Sequence, residues 1–184
     1  MTALEIAQEL VRRPSVNPMH DDESPGEGAV VDWLEQWGRD QQLETLRDPV
    51  LPKRDNISFS ITRGDGPHLL FNGHTDTVSV AGMSIEPFSG TIRDGRLWGR
   101  GASDMKGPLA CMLAAMLELR TRTDWQGRLT VGCVVDEETE YRGILQLIMD
   151  RAPWDYAVVG EPTGLRVVRG CKGSVRLHVR VRGR

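Results

Sequence analysis

Cysteine is scarce in this chain and shows no pairing pattern. Cys111, Cys133 and Cys171 are far apart and odd in number, and no Cys-x-x-Cys occurs. That spacing argues against a zinc knuckle and a disulfide framework. The apolar neighbours of the three read as reduced, packed thiols. No apolar run is long enough to cross a bilayer, so no membrane partner is expected. The N-terminus, Met1-Thr2-Ala3-Leu4-Glu5, has no basic stretch followed by an apolar core. No signal peptide is therefore expected, and the expected location is cytoplasmic. There is no Gly-x-Ser-x-Gly elbow and no phosphate loop, and Gly99-Arg100-Gly101 lacks the third glycine of a dinucleotide fingerprint.

What the chain does hold is the composition of one soluble globular domain. It has 184 residues, 39% hydrophobic and 27% charged. The formal net charge is -3, unevenly spread. Residues 165–184 carry seven Arg or Lys and no acid, leaving 16 basic against 26 acidic residues in 1–164, a net of -10. A basic tail can bind nucleic acid. Here Val175, Leu177, Val179 and Val181 alternate with Arg176, His178, Arg180 and Arg182. That is the period of a half-buried strand with a solvated face. No aromatic residue interleaves the charges, so the strand is the better reading and no nucleic-acid partner is expected.

Helix and strand patterns alternate along the rest. Thr2 with Glu5 forms a capping box that opens a helix through Arg13, ended by Pro14 and Pro18. Pro25 to about Asp40 reads as a second amphipathic helix with Val30, Val31, Trp33, Leu34 and Trp37 inward. A strand is expected at about 55–62, a turn at Gly64-Asp65-Gly66, and a buried strand at His68–Asn72 running into His74. Thr91–Trp98 reads as a hairpin with Asp94-Gly95 at its turn. A helix at Lys106–Arg122, a strand at Leu129–Val135, a helix at Gly143–Arg151 and a strand at Tyr156–Val159 follow. The expected fold is α/β, a mixed and largely parallel central sheet flanked by helices.

Four short segments carry chemistry: Gly73-His74-Thr75-Asp76, Gly99 to Gly107, Asp136-Glu137-Glu138 and Gly160-Glu161-Pro162-Thr163. Three of them lie where a strand runs out, the place where ligands gather in open α/β sheets. One imidazole and several carboxylates suit divalent cations. His74 can offer a neutral imidazole, or it can be a histidine at the core edge. Asp76, two residues on, points the same way in an extended segment and can take the other ring N–H. Asp104 can share its oxygens between two metals; alternatively Ser103 or Asp104 simply caps the helix that follows. Glu137 and Glu138 diverge on an extended segment, so one can bind metal and the other face substrate, unless they form a solvated turn. Glu161 can be a ligand or a turn residue, with Pro162 blocking further pairing. His20, His68 and His178 sit in settings that read as structural.

In this order the four segments resemble the co-catalytic zinc amidohydrolases and peptidases. That family includes acetylornithine deacetylase, succinyl-diaminopimelate desuccinylase, carboxypeptidase G and aminoacylase. The resemblance extends to Arg13-Pro14-Ser15-Val16 and Pro87-Phe88-Ser89-Gly90, and its most specific part is Gly99–Gly107. It implies a zinc-dependent exopeptidase-like catalytic domain and two divalent metal ions, most often zinc, with cobalt or manganese as alternatives. It implies His74 and Glu161 on one metal, Asp104 bridging, Glu138 on the second, Glu137 as general base and Asp76 behind His74. The Asp104–Met105 peptide is expected to be cis. The implied reaction is amide hydrolysis in an N-acyl amino acid or small peptide, with a water between the metals attacking the carbonyl.

Two departures stand out. Glu140 takes the place where the family often has glycine, and a second histidine ligand, for the Glu138 metal, has no match. Residues 1–170 therefore read as the N-terminal part of the catalytic domain, incomplete at the C-terminus. Residues 171–184 read as the start of an inserted lid and dimerisation domain, through which the family is often homodimeric. The alternative is a truncated fragment, metal-binding at most and catalytically poor alone.

Overall fold

The computed structural model describes residues 1–150, 154–170, 173, 175, 177 and 179–183. Two helices open the chain, α1 (Ala3–Val11) and α2 (Gly28–Asp40). The capping box forms at α1: Thr2 Oγ1 accepts from the Glu5 amide at 3.3 Å, and Glu5 accepts from the Thr2 amide at 2.7 Å. Strands β1 (Glu44–Leu51), β2 (Arg54–Arg63) and β3 (His68–His74) follow, then the hairpin β4 (Thr91–Arg93) and β5 (Arg96–Trp98). Helix α3 (Lys106–Thr121) carries Pro108 in its first turn, where a missing N–H costs nothing. Strand β6 (Gly127–Val134), helix α4 (Arg142–Asp150) and strand β7 (Tyr156–Val159) complete the elements.

The main sheet has the order β1-β2-β6-β3-β7. It is mixed: β1 and β6 flank β2 antiparallel, whereas β3 lies parallel to both β6 and β7. Alternation along the strands sends Ile57, Phe59, Ile61, Leu129, Val131 and Cys133 to one face, packed on residues of α1, α2 and α3. Leu70 and Val134 take the other face, against Leu147 of α4. The Trp37 ring meets Phe59 edge-on at 5.4 Å. A Cβ at Gly38 would lie 2.3 Å from the Phe59 ring, so only glycine lets α2 approach this closely.

Some expectations are corrected. Strand β1 has no counterpart in the sequence reading; its charges and Pro49 mask the alternation. Of the described residues between 175 and 182, none is in a strand, and Val175, Leu177, Val179 and Val181 are all exposed. Among the described residues they have no partner strand on which a half-buried face could form. Cys171, Lys172, Ser174, Arg176, His178 and Arg184 of the predicted 171–184 segment lie outside the described residues. Cys133 is buried as a packed thiol, whereas Cys111 is exposed on α3. Among the described residues, no helix is long and apolar enough to cross a membrane.

Candidate metal centre

The parallel pairing of β3 with β6 and β7 brings three motif-bearing strand ends side by side. His74 is paired in register with Val134, and the Gly160 amide donates to the Asn72 carbonyl at 3.1 Å. Close packing sets the depth. Met105 is fully buried beneath two of these strand ends. A Cβ at Gly73 would lie 2.7 Å from the Met105 methyl, and one at Gly160 2.9 Å from the same atom. Gly101 approaches from the remaining segment in the left-handed region, at φ 82°. The Asp104–Met105 peptide is cis. Neither Ser103 nor Asp104 caps α3: the cap position is Met105, with no side-chain cap bond, and Asp104 is left free to face the site.

His74 is almost fully buried and fixed from both ring nitrogens. Its Nδ1 donates to the Asp76 carbonyl oxygen at 2.9 Å, with the Asp76 carboxylate 3.5 Å away. Nδ1 keeps its proton for that carbonyl, so Nε2 is the nitrogen at which a cation would replace a proton. Nε2 lies 3.0 Å from Asp104 Oδ1, 3.6 Å from Glu137 Oε2 and 4.0 Å from Glu161 Oε1. Two groups of ligand atoms emerge, His74 with Asp104 and Glu138, and His74 with Glu137 and Glu161. Within each, the atoms lie within 4.8 Å of one another.

Glu137 and Glu138 are not on an extended segment. They begin a turn spanning 137–140, because Asp136 takes the left-handed conformation at φ 66°. The turn still separates them, Glu138 toward Asp104 and Glu137 toward Glu161. Asp76 does more than back His74. Its Oδ1 accepts the Glu137 amide and its Oδ2 the Glu138 amide, both at 3.1 Å.

Electrostatics fit a cation here. Burial raises the Glu137 carboxyl to about 7, and the neighbouring charges of Glu161, Glu138 and Asp76 add to this against the pull of His74. Glu138 and Glu161 are raised as well, by burial first and by nearby carboxylates. Burial disfavours the His74 imidazolium, yet hydrogen bonds to Asp104 and Asp76 outweigh it and lift the ring to about 11. Burial also opposes ionisation of Asp76, but bonds from His74 and Asn17 prevail and hold it low. Among the described residues, no Arg or Lys pairs with Asp104, Glu137, Glu138 or Glu161. Crowded carboxylates with no Arg or Lys among them suit a divalent cation, which would take the place of the His74 proton and relieve their repulsion. The donor set, one imidazole and carboxylate oxygens, suits zinc and tolerates manganese or cobalt.

Among the described residues, the other two histidines, His68 and His20, stay outside this cluster. His68 Nε2 lies 3.0 Å from Thr130 Oγ1 and its ring packs on Trp154. His20 is exposed, 3.3 Å from the Glu138 carbonyl. Sequence reasoning missed Asn17, Glu27 and Arg54, all buried beneath the acidic pair. Asn17 directly follows the Arg13-Pro14-Ser15-Val16 stretch, which is the one local signal that could have found it.

The sequence profile of Peptidase family M20/M25/M40 matches residues 70–181. The chain belongs to this family. A succinyl-diaminopimelate desuccinylase of Parvibaculum lavamentivorans is 35% identical over 98% of this chain, which covers 48% of that protein. A relative of the same description from Bradyrhizobium is 34% identical over 92% of this chain and is covered to 46%. The chain thus spans about half the length of the curated relatives it matches. Among solved structures, an M20 family metallo-carboxypeptidase from Sulfolobus solfataricus superposes with a TM-score of 0.72 at 20% identity. The match covers 86% of this chain and 37% of that one. The Bacillus subtilis YXEP protein, described as a dinuclear metal-binding peptidase of the M20 family, matches with a TM-score of 0.55 at 19% identity, over 78% of this chain and 38% of that one. The M20 architecture confirms the expected fold class.

Proposed function

We propose that the chain is part of a metal-dependent hydrolase that cleaves the amide bond of N-acyl amino acids or small peptides. The observation that carries this is the convergence on His74 Nε2 of carboxylates from three separate loops, Asp104, Glu137 and Glu161, with Glu138 beside Asp104. In this reading His74, Asp104, Glu138 and Glu161 hold two divalent cations, zinc in the first instance. When bound, such cations polarise a carbonyl and acidify water. Asp76 fixes the His74 ring and both glutamate amides. Glu137, with its carboxyl at about 7, takes a proton from the attacking water. It returns that proton to the amide nitrogen as the carbon–nitrogen bond breaks, leaving a carboxylic acid and a free amine. The relatives' description as desuccinylases favours an N-succinyl amino acid as the acyl substrate.

The test is Glu137→Ala in a full-length protein that contains this chain. Hydrolysis should fall by about two to four orders of magnitude with metal content nearly intact. Loss of both metals would instead make Glu137 a ligand and overturn its role as base.

A second reading concerns these 184 residues alone. Among the described residues both ligand groups use the same histidine, which leaves one imidazole for two ions. The polypeptide by itself then binds about one ion tightly, or fewer, and hydrolyses N-acyl amino acids poorly. Metal analysis of the purified chain decides this: two tightly held zincs with brisk turnover would sink it.

A further inference from the structure

Asp136 stands immediately before the acidic pair, and it is tied down from every side. Its backbone occupies the left-handed region at φ 66°, which Asp and Asn enter more readily than other residues with a side chain. Its amide donates to Glu27 Oε1 at 3.2 Å, and its carbonyl accepts the Tyr141 amide at 2.8 Å. One carboxylate oxygen, Oδ1, accepts three bonds: from Arg54 Nη2 at 3.0 Å, Asn17 Nδ2 at 3.2 Å and Thr139 Oγ1 at 2.8 Å. Arg54 is itself forked onto Glu27, at 2.6 and 2.8 Å. Glu27, Asn17 and Asp136 are fully buried and Arg54 nearly so.

This network leads to the metal centre through one amide. Asn17 Nδ2 also donates to Asp76 Oδ2 at 2.8 Å, and Asp76 accepts the amides of both Glu137 and Glu138. The bonds therefore run from Glu27 through Arg54, Asp136, Asn17 and Asp76 to the acidic pair. A buried ion pair is weak evidence of added stability, since desolvation offsets most of the attraction. A buried network whose central oxygen holds three donors does select one geometry over others.

We propose that Asp136 is a positioning residue: holding Arg54, Asn17 and Thr139 on one oxygen, it fixes the turn that aims Glu137 and Glu138 at the metal centre. The inference rests on the metal-centre reading only for where the pair is aimed.

Three variants of the whole chain separate geometry from charge. Asp136→Asn keeps the acceptor oxygen and tolerates the left-handed backbone. Its amide nitrogen takes the place of Oδ2, which forms no hydrogen bond and lies 3.5 Å from Arg142 Nη1. Asp136→Gly keeps the backbone freedom and removes the acceptor. Asp136→Ala removes the acceptor and adds backbone strain, so the Gly variant decides the matter if the Ala variant fails to fold. Cobalt(II) titration followed by visible absorption should give Asp136→Asn an affinity within about threefold of the parent, and Asp136→Gly a loss of about 10- to 100-fold. Equal affinities for Gly and parent, or an Asn variant as weak as Gly, would overturn the proposal.

Amide hydrogen exchange of the metal-free proteins reads the turn directly. The Glu137 and Glu138 amides should exchange at least about tenfold faster in Asp136→Gly than in the parent and in Asp136→Asn, with the Val131 amide of β6 unchanged. Unchanged exchange at the pair would overturn the proposal as well. Should the parent chain by itself take up no cobalt, as the second reading above allows, the exchange comparison alone decides the role of Asp136.

Discussion

The two edges of the main sheet are built on different rules. At the β1 edge, Pro49 interrupts the ladder with a register shift before Leu51. Arg47 spreads one guanidinium over Asp55, Asp32 and Glu35, at 2.7 to 2.9 Å. At the other edge, β7 has four residues, all exposed and none charged. Tyr156, Val158 and Val159 are 65%, 48% and 56% exposed. Proline, charge and irregularity blunt an edge against further pairing; a bare apolar strand invites it. The β1 edge is the end of a sheet, whereas the β7 edge is a surface ready to be covered. The candidate metal centre lies near that second edge, since Glu161 comes two residues after β7.

The contrast can be broken most decisively by core truncation on the β1 side. Phe59→Ala should cost about 3–5 kcal/mol in urea unfolding, and Val158→Ala on β7 less than about 0.5 kcal/mol. Comparable losses would mean that β7 is as integral as β2. A smaller effect concerns association. The 20.5 kDa chain should self-associate through the bare edge, and Val158→Lys should raise the concentration needed by about tenfold in sedimentation runs. An unchanged mass distribution would remove the asymmetry between the edges. On the β1 edge itself a modest effect belongs to Arg47→Ala, which should cost about 0.5–1 kcal/mol at low salt and less at about 1 M salt. A loss that ignores salt would mean the side chain acts by packing and not by charge.

Sequence patterns conveyed the elements whose own residues define them. The α1 cap, the Asp94-Gly95 hairpin and the strands ending at His74, Val134 and Val159 are local or short-period features. Strand β1 was illegible because an edge strand with proline and charge has no clean alternation. In the site, the motif residues do converge on His74 as their order suggested. The network beneath them was not legible, because its partners are remote. Asn17 meets Asp76 across 59 positions and Asp136 across 119, and Arg54 meets Asp136 across 82. Only the folded sheet brings such positions together. The turn at Glu137 was misjudged for the opposite reason: one unusual backbone angle, at Asp136, overrode the strand before it.

Met105 gives the motif glycines a meaning of another kind. Its methyl occupies the volume that a side chain at Gly73 or at Gly160 would need. The bareness of those two positions is set by a neighbour 32 positions beyond one and 55 positions before the other, as their numbering shows. The three sites therefore form one epistatic unit. A side chain at either glycine would force the Met105 methyl to move, and at Gly160 the Met112 methyl as well, so a change at one position alters the room left at the other.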